Sequence, residues 1–589
     1  MKNQKLSALR ELMSQRGLDA YIITSADAHA SEYVASFWCA REWISGFTGS
    51  AGLLVVLAEE AGLWTDGRYF IQAEHELVNS GITLFKAGEK DVPTHTKFLA
   101  EKLQQGGKLG FDGRTMTAAE FTKIKDALAE KKITFAHEED LMNEIWHNRP
   151  QMPSTPAFEH TPQFVGKTAK EKLADVRAKM TEHGITAYLL TALDSVAWLT
   201  NLRGNDIPSL PVAYAFALVT QTDAHIFINA KKISHIEFPD FTLHEYEALP
   251  QFLENFRTEK LFYNPANTNV LLAEAVPKIS DAHQILKPSE DIVPRLKAVK
   301  SATELENIKN AFIKEGIVIT KILFWLHEKI SANATITEGD IVRELQRARK
   351  SQPHYICDSF DTICAYGANA AQAHYSCGET GATLHAEGFL LIDTGGQYLD
   401  GTTDTTRTIC LGEITDEMKR DFTLVLKGHI ALARAVFLSG TTGSALDILA
   451  RQPLWESGQN YRHGTGHGLG YCLSVHEGPH NISPGHNTVP LAPGMLISNE
   501  PGVYKENRYG IRTENIVSVV ERETTPDGTF LSLETLTHCP IDRRAIATEL
   551  LTPSEIEWLN TYHAHTLETL APHLFPPEQD WLKQSTLPI

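Results

Sequence analysis

Phe389-Leu-Leu-Ile-Asp393-Thr-Gly-Gly-Gln-Tyr-Leu-Asp400-Gly-Thr-Thr-Asp404 combines an apolar strand pattern with two aspartates eleven residues apart. A chain reversal centred near Tyr398-Leu399 would place Asp393 opposite Asp404 on antiparallel strands, about 5 Å apart. With Asp400-Gly401 at the tip of the hairpin, Asp393 would face Thr408 and could not share a metal with Asp404. A single aspartate in this context is more often a turn residue. The pair, flanked by Gly and Thr, favours a metal site.

Three motifs further along the chain add residues of metal-binding type: His463-Gly-Thr-Gly-His467-Gly468, Asn499-Glu500-Pro-Gly502 and Gly510-Ile-Arg-Thr-Glu514-Asn515. Glu500 follows an apolar strand pattern, and the Pro-Gly after it predicts a turn that leaves the carboxylate at the strand end. Glu514 lies in a strand pattern over 511–520, whose alternation puts Arg512 and Glu514 on one face. A plain ion pair between these two residues is the structural alternative.

The glycines around His463 and His467 predict a loop with close backbone approach and argue against a helix. A phosphate-binding loop is excluded because Leu469 and Tyr471 stand where its last glycine belongs. His476-Glu477-Gly478-Pro479-His480 matches the zincin pattern in form only, since that motif needs a continuous helix and Gly-Pro breaks one. The glycine-rich segment is therefore a candidate ligand loop.

We interpret five residues as ligands of two divalent cations: Asp393, Asp404, His467, Glu500 and Glu514. Four converging carboxylates without cations would repel one another and lose solvation together. Two divalent ions balance these four charges. Oxygen ligands with one imidazole favour Mn²⁺, with Co²⁺ or Zn²⁺ as alternatives.

Composition limits the class of protein. The chain has 589 residues and a net charge of −19, which argues against a general nucleic-acid binder because such proteins meet phosphates with basic surface. Seven dispersed cysteines without a C-x-x-C pattern indicate neither a disulfide framework nor a zinc knuckle. The sequence shows no signal peptide and no apolar run of about 18 residues. We expect a cytoplasmic protein without membrane attachment.

The first half of the chain contains an internal repeat. Leu6, Arg10, Met13, Gly17 and Ala20-Tyr-Ile-Ile-Thr24 recur 167 residues later as Leu173, Arg177, Met180, Gly184 and Ala187-Tyr-Leu-Leu-Thr191. Each copy predicts an amphipathic helix followed by a strand. A proline-rich connector follows residue 147. We predict two related αβ domains, 1–150 and 151–300, and a third domain, 301–589, that begins with helices near Thr303 and after the capping box Thr337-Glu-Gly-Asp340.

With these motifs the chain resembles the pita-bread metallopeptidases, and in particular the Xaa-Pro aminopeptidase (aminopeptidase P) family of the long, three-domain type. Further matching segments are Ser45-Gly-Phe-Thr-Gly-Ser-Ala-Gly52, Trp64-Thr-Asp-Gly-Arg-Tyr69 and Asn201-Leu-Arg-Gly204. The resemblance covers nearly the whole chain. It implies an α/β protein with two tandem creatinase-like N-terminal domains, followed by an α+β pita-bread catalytic domain.

The resemblance also implies the chemistry. Asp393, Asp404, His467, Glu500 and Glu514 match the family's metal ligands, and His374, His463 and His476 match histidines that line the substrate site. A hydroxide bridging two metals would attack the first peptide bond, with Glu500 relaying the water's proton and Arg512 orienting carboxylates. Peptides with an Xaa-Pro N-terminus are the implied substrates, and a homodimer is implied.

Two other functions stay open at this stage. A prolidase that cleaves Xaa-Pro dipeptides would share the ligand set but lack the additional tandem domain. A non-enzymatic pita-bread binding protein would have lost its ligands. The presence of all five candidate metal ligands argues against a non-enzymatic binding protein.

Overall fold

The computed structural model of the chain describes residues 4–276, 286–287 and 290–589. It divides into two compact units. The first comprises Met1–His160, Lys167–Pro208 and Val212–Val293, and the second comprises Thr161–Gly166, Ser209–Pro211 and Pro294–Ile589. Within the described ranges, every helix is too short or too polar to span a lipid bilayer.

The α-helices, in chain order, are α1 (Gln4–Gln15), α2 (Ala40–Ser45), α3 (Phe70–Glu76), α4 (His95–Lys102), α5 (Ala118–Ala127), α6 (Met142–Ile145), α7 (Pro162–Val165), α8 (Ala169–Glu182), α9 (Leu193–Thr200), α10 (Leu249–Asn255), α11 (Val270–Ala275), α12 (Ile292–Ala298), α13 (Ala302–Ser331), α14 (Glu338–Lys350), α15 (Asp416–Ala433), α16 (Gly443–Glu456), α17 (Pro553–Leu570) and α18 (Pro576–Ser585).

The strands, in chain order, are β1 (Ala20–Thr24), β2 (Leu53–Leu57), β3 (Ala61–Thr65), β4 (Thr83–Lys86), β5 (Lys108–Phe111), β6 (Thr134–Ala136), β7 (Phe158–Glu159), β8 (Ala187–Leu190), β9 (Leu202–Arg203), β10 (Ala215–Thr220), β11 (Ala224–Ile228), β12 (Thr242–His244), β13 (Leu261–Tyr263), β14 (Tyr355–Asp358), β15 (Ile363–Tyr366), β16 (Phe389–Thr394), β17 (Gly396–Tyr398), β18 (Gly401–Thr402), β19 (Thr405–Cys410), β20 (Val436–Leu438), β21 (Gly466–Gly468), β22 (Glu477–Ile482), β23 (Leu496–Asn499), β24 (Gly502–Lys505), β25 (Tyr509–Arg512), β26 (Asn515–Thr525) and β27 (Gly528–Thr535).

The first unit contains the duplication that the repeat predicts. Its two larger sheets have the strand orders β4-β3-β2-β1-β5-β6 and β12-β11-β10-β8-β13. In each, the repeated strand, β1 or β8, pairs antiparallel with one neighbour and parallel with the other. The helix before each strand buries an apolar stripe, for example Leu6, Leu9 and Met13 on α1. The shared topology confirms two related αβ folds in tandem.

The second unit packs helices on antiparallel sheets. Helices α13 and α14 begin at the capping boxes of Ser301 and Thr337, the second of which the sequence predicts. Their apolar faces pack against the sheet β15-β16-β19, with contacts around Leu323, Leu345 and Leu390. A second sheet has the order β20-β27-β26-β23-β21-β22, and β24 and β25 form a hairpin. The candidate ligands lie on or beside strands of these sheets.

Candidate metal centre

The two aspartates come from the hairpin that contains β16 and β19. Asp393 pairs with Thr406, so the chain reverses at Leu399-Asp400, which matches neither predicted register. The reason is tertiary: the Tyr398 ring is buried and its hydroxyl donates to Glu315 Oε2 at 3.0 Å, which extends the ladder past the expected turn. Asp404 lies two residues from Thr406 and is therefore the diagonal neighbour of Asp393 on the same face of the sheet. Long side chains can still contact each other across such a diagonal.

Glu500 and Glu514 lie at one end of two paired strands. Asn499, the last residue of β23, pairs with Asn515, the first residue of β26, so the two glutamates stand beside each other immediately outside the ladder. The single strand predicted over 511–520 is wrong, because the chain breaks between β25 and β26 at Glu514. There the Glu514 amide donates to the Thr406 carbonyl at 3.1 Å, and Glu514 Oε2 accepts from the Thr406 hydroxyl at 2.8 Å.

His467 lies in β21, a short strand where the sequence predicts a loop. The close backbone approach inferred from the glycines is confirmed: a Cβ at Gly466 would lie 1.9 Å from the Ser498 carbonyl oxygen. His467 Nδ1 lies 2.9 Å from the Gly468 carbonyl, which places the ring proton on Nδ1 and leaves Nε2 for a ligand. Nε2 is 3.4 Å from Asp404 Oδ2 and 3.6 Å from Glu500 Oε1.

The donor set fits divalent cations. Ligand atoms of Asp404, His467 and Glu514 all lie within 4.8 Å of one another. Within the described part of the chain, the buried Oδ1 of Asp393 has no hydrogen-bond partner. A buried carboxylate oxygen without a donor is costly unless a cation takes that place. The chemistry of these groups therefore matches hard cations held by carboxylates and one imidazole.

The electrostatics point the same way. Burial, reinforced by the charges of Asp404 and Asp393, raises the pKa of Glu500 to about 7. Burial likewise raises the pKa of Asp393, and that of Glu514 well above the usual range. Burial alone would lower the pKa of His467, but the carboxylates of Asp404 and Glu500 raise it to about 9. Such a cluster holds its charges at neutral pH only with added positive charge.

Arg512 bonds to Asp393 and not to Glu514. Its guanidinium lies 2.5 Å from Asp393 Oδ2 and also donates to the Thr406 hydroxyl at 3.1 Å. A third bond, 2.7 Å long, runs to the hydroxyl of Tyr504, which lies 2.8 Å from His463 Nε2. Tyr504 thus joins Arg512 to His463, a role that sequence reasoning missed. Only the hairpin register, in which Gly502 pairs with Arg512, reveals this proximity.

The candidate substrate histidines occupy different places. His463 and His476 lie beside the ligands: His463 Nδ1 is 3.9 Å from Glu500 Oε2, and the His476 ring meets the His467 ring edge-on with centroids 4.4 Å apart. His374 is half-buried and follows the 3-10 helix Gly367–Ala371, which contacts β16 and β25. The structure thus brings two of the three histidines directly to the ligand cluster and places the third on an adjoining loop.

Models of known families match four parts of the chain. Residues 306–521 match metallopeptidase family M24, and residues 529–589 match the C-terminal region of that peptidase family. Residues 5–145 and 148–304 each match the creatinase/prolidase N-terminal domain. Each copy of the predicted duplication therefore matches a model of the creatinase/prolidase N-terminal domain.

Individual proteins match over the full chain. Aminopeptidase P2 of Arabidopsis thaliana is 38% identical, covering 100% of this chain and 88% of its own length. A probable Xaa-Pro aminopeptidase P of Botryotinia fuckeliana is 40% identical over 95% of this chain and 88% of its own. The crystal structure of X-prolyl aminopeptidase from Caenorhabditis elegans, described as a cytosolic enzyme with a di-nuclear active site, matches with 33% identity and a TM-score of 0.94, covering 100% of this chain and 99% of that one.

Proposed function

This chain belongs to metallopeptidase family M24, and we infer that it is an Xaa-Pro aminopeptidase, which releases the N-terminal residue from peptides with proline in second position. One observation carries the inference: the full-length match to X-prolyl aminopeptidases includes both N-terminal domains and a catalytic domain in which the carboxylates and His467 converge. The intact donor set disfavours a non-enzymatic binding protein.

Two divalent metals are the cofactors, and we propose that Asp393, Asp404, His467, Glu500 and Glu514 hold them. Three of these residues already bring ligand atoms within 4.8 Å of one another, and the buried Asp393 Oδ1 supplies a further oxygen. We propose Mn²⁺ as the resident ion because the ligands are mainly carboxylate oxygens. When bound, the ions polarise the scissile carbonyl and acidify water.

Side chains around the ligands transfer the proton of the attacking water and position the ligands and the peptide. Glu500, which lies at a strand end with its Oε1 atom 3.6 Å from His467 Nε2, accepts the proton of the attacking water and passes it to the leaving nitrogen. Arg512 fixes Asp393 Oδ2 and leaves Oδ1 for a cation. Tyr504 couples Arg512 to His463. We propose that His463, His476 and His374 hold the peptide and its tetrahedral intermediate.

Proline in second position shapes recognition. The scissile nitrogen of an Xaa-Pro bond carries no hydrogen, so the site cannot recognise it as a donor. Recognition then depends on the shape of the pyrrolidine ring and on the free α-amino group, which meets the acidic end of the site. We further propose a cytoplasmic homodimer; the Caenorhabditis elegans neighbour is described as cytosolic, and the dimer follows from the family resemblance.

The deciding test against a prolidase is a comparison of peptide lengths. The metal-loaded protein is given an Xaa-Pro dipeptide and an Xaa-Pro-Yaa-Zaa peptide with the same first residue, and products are identified by mass spectrometry. We expect the protein to release the free first residue from the longer peptide, and to do so with a higher kcat/KM than it shows on the dipeptide. Cleavage confined to the dipeptide would contradict the proposal and favour a prolidase.

A further inference from the structure

Glu338, at the start of α14, is a fully buried carboxylate outside the metal centre. It accepts four hydrogen bonds. Oε1 accepts from the Tyr366 amide at 2.6 Å and Asn369 Nδ2 at 2.9 Å, and Oε2 accepts from the Tyr375 hydroxyl at 2.9 Å and the Ala382 amide at 2.7 Å. All four donors lie in residues 366–382, named here the 366–382 loop. One carboxylate therefore ties together the beginning, middle and end of this loop.

The backbone at the start of α14 strengthens the same junction. The Glu338 amide donates to the Ala382 carbonyl at 3.0 Å, and the Gly339 amide donates to the Thr380 carbonyl at 2.9 Å. Gly381 has a φ of +65°, and a Cβ there would lie 2.2 Å from Glu338 Oε2. The loop therefore closes on the carboxylate without room for a side chain at this position.

The 366–382 loop carries His374 and lies against strands of the metal centre. A Cβ at Gly510, two residues before Arg512 on β25, would lie 1.7 Å from the Ala370 carbonyl oxygen. Tyr375 packs against a small apolar cluster that includes Ala370 and Leu391 of β16. Strand β16 leads to Asp393. The position of the loop is thus defined on one side by the strands that carry the ligands and on the other by Glu338.

We propose that Glu338 is a positioning residue for the reaction: by holding the 366–382 loop at four points, it fixes His374 for contact with the peptide. The inference rests on the proposed function, which assigns His374 to the substrate. A carboxylate suits this task because both of its oxygens accept two bonds, whereas an amide has one acceptor oxygen and would turn donor hydrogens toward donors. An unmatched buried donor destabilises this loop geometry.

The first test compares two tyrosine variants. Tyr375→Phe removes the bond that its hydroxyl donates to Glu338 and the one that it accepts from Asn369. Tyr366→Phe, the matched control, removes a hydroxyl of the same loop that donates to the Glu387 carbonyl instead. We expect Tyr375→Phe to lower kcat and kcat/KM on an Xaa-Pro-Yaa-Zaa peptide by about tenfold and Glu338→Gln by about 10- to 100-fold, because a misplacement of about 1 Å at the site can cost about 10²-fold. All three variants are expected to keep the metal content of the wild type, and Tyr366→Phe is expected to keep its rate as well. Should Glu338→Gln fail to fold, Tyr375→Phe alone carries the test.

A double-mutant cycle with His374→Ala separates positioning from general destabilisation. If Glu338 acts through His374, Tyr375→Phe lowers kcat in the wild-type background and has no further effect in the His374→Ala background. Additive effects, or a loss of rate that follows loss of metal, would overturn the inference while leaving the proposed function intact. Wild-type rates in His374→Ala would instead remove the proposed role of His374, and the inference with it.

Discussion

Protein stripped of divalent ions is expected to lose hydrolysis of Xaa-Pro peptides by about 10³-fold or more, since loss of even one preorganised group that stabilises transition-state charge costs about 10²–10³-fold. Ligand atoms of Asp404, His467 and Glu514 lie within 4.8 Å of one another, and burial raises the pKa values of Glu500 and Glu514 in the absence of cations. Rates are measured after dialysis against a chelator and again after addition of single ions. We expect Mn²⁺ to restore the rate best, ahead of Co²⁺ and Zn²⁺.

The control is protein carried through the same dialysis without chelator, with circular dichroism to show that both samples remain folded. Full hydrolysis by protein shown by elemental analysis to be free of metal would contradict a metal-dependent mechanism. Better restoration by Zn²⁺ than by Mn²⁺ would leave the mechanism intact and correct the identity of the ion.

Two changes to the peptide substrate, at its second residue and at its N-terminus, are expected to lower kcat/KM strongly. Replacing proline in second position by alanine is expected to lower kcat/KM by about 10²-fold, since the ring's contacts set the geometry of attack and a misplacement of about 1 Å costs that much. Acetylating the N-terminus is expected to remove nearly all hydrolysis, because the free amino group no longer meets the acidic end of the site.

These peptides are compared at equal length and with the same first residue, and the released product is quantified by mass spectrometry. Equal rates on Xaa-Pro and Xaa-Ala peptides would contradict proline specificity. Cleavage of the acetylated peptide at the original rate would contradict the aminopeptidase assignment, whatever the metal content of the protein.

Much of the architecture follows from local sequence patterns. The repeat at an offset of 167 residues predicts the two related sheets, because each copy repeats the apolar positions that one helix and one strand bury. The capping box at Thr337 predicts the start of α14. The strand end before Glu500 is likewise local, since Pro501 cannot extend the ladder. Where neighbours in sequence determine the structure, the prediction succeeds.

The remaining features depend on contacts between distant segments. Asp393 pairs with Thr406, and not with the predicted partner, because the Tyr398 hydroxyl donates to Glu315 on α13. These two residues are 83 positions apart in the sequence. Arg512 forms its ion pair with Asp393, which is 119 residues away in the sequence, and not with the nearby Glu514. Glu338 looks like an ordinary residue in the first turn of a helix, and only the folded 366–382 loop gives it four donors. No local periodicity contains this information.

The metal content of ligand variants tests the central claim, that these side chains hold two divalent ions, most directly. Elemental analysis is performed on the wild type, Asp404→Asn, Glu514→Gln and the control Asp421→Asn, which alters a buried carboxylate bonded to Tyr509. We predict two ions per chain in the wild type and the control, and fewer than two, with loss of hydrolysis, in both ligand variants. Two ions per chain in Asp404→Asn and Glu514→Gln would contradict the assignment of these residues as ligands.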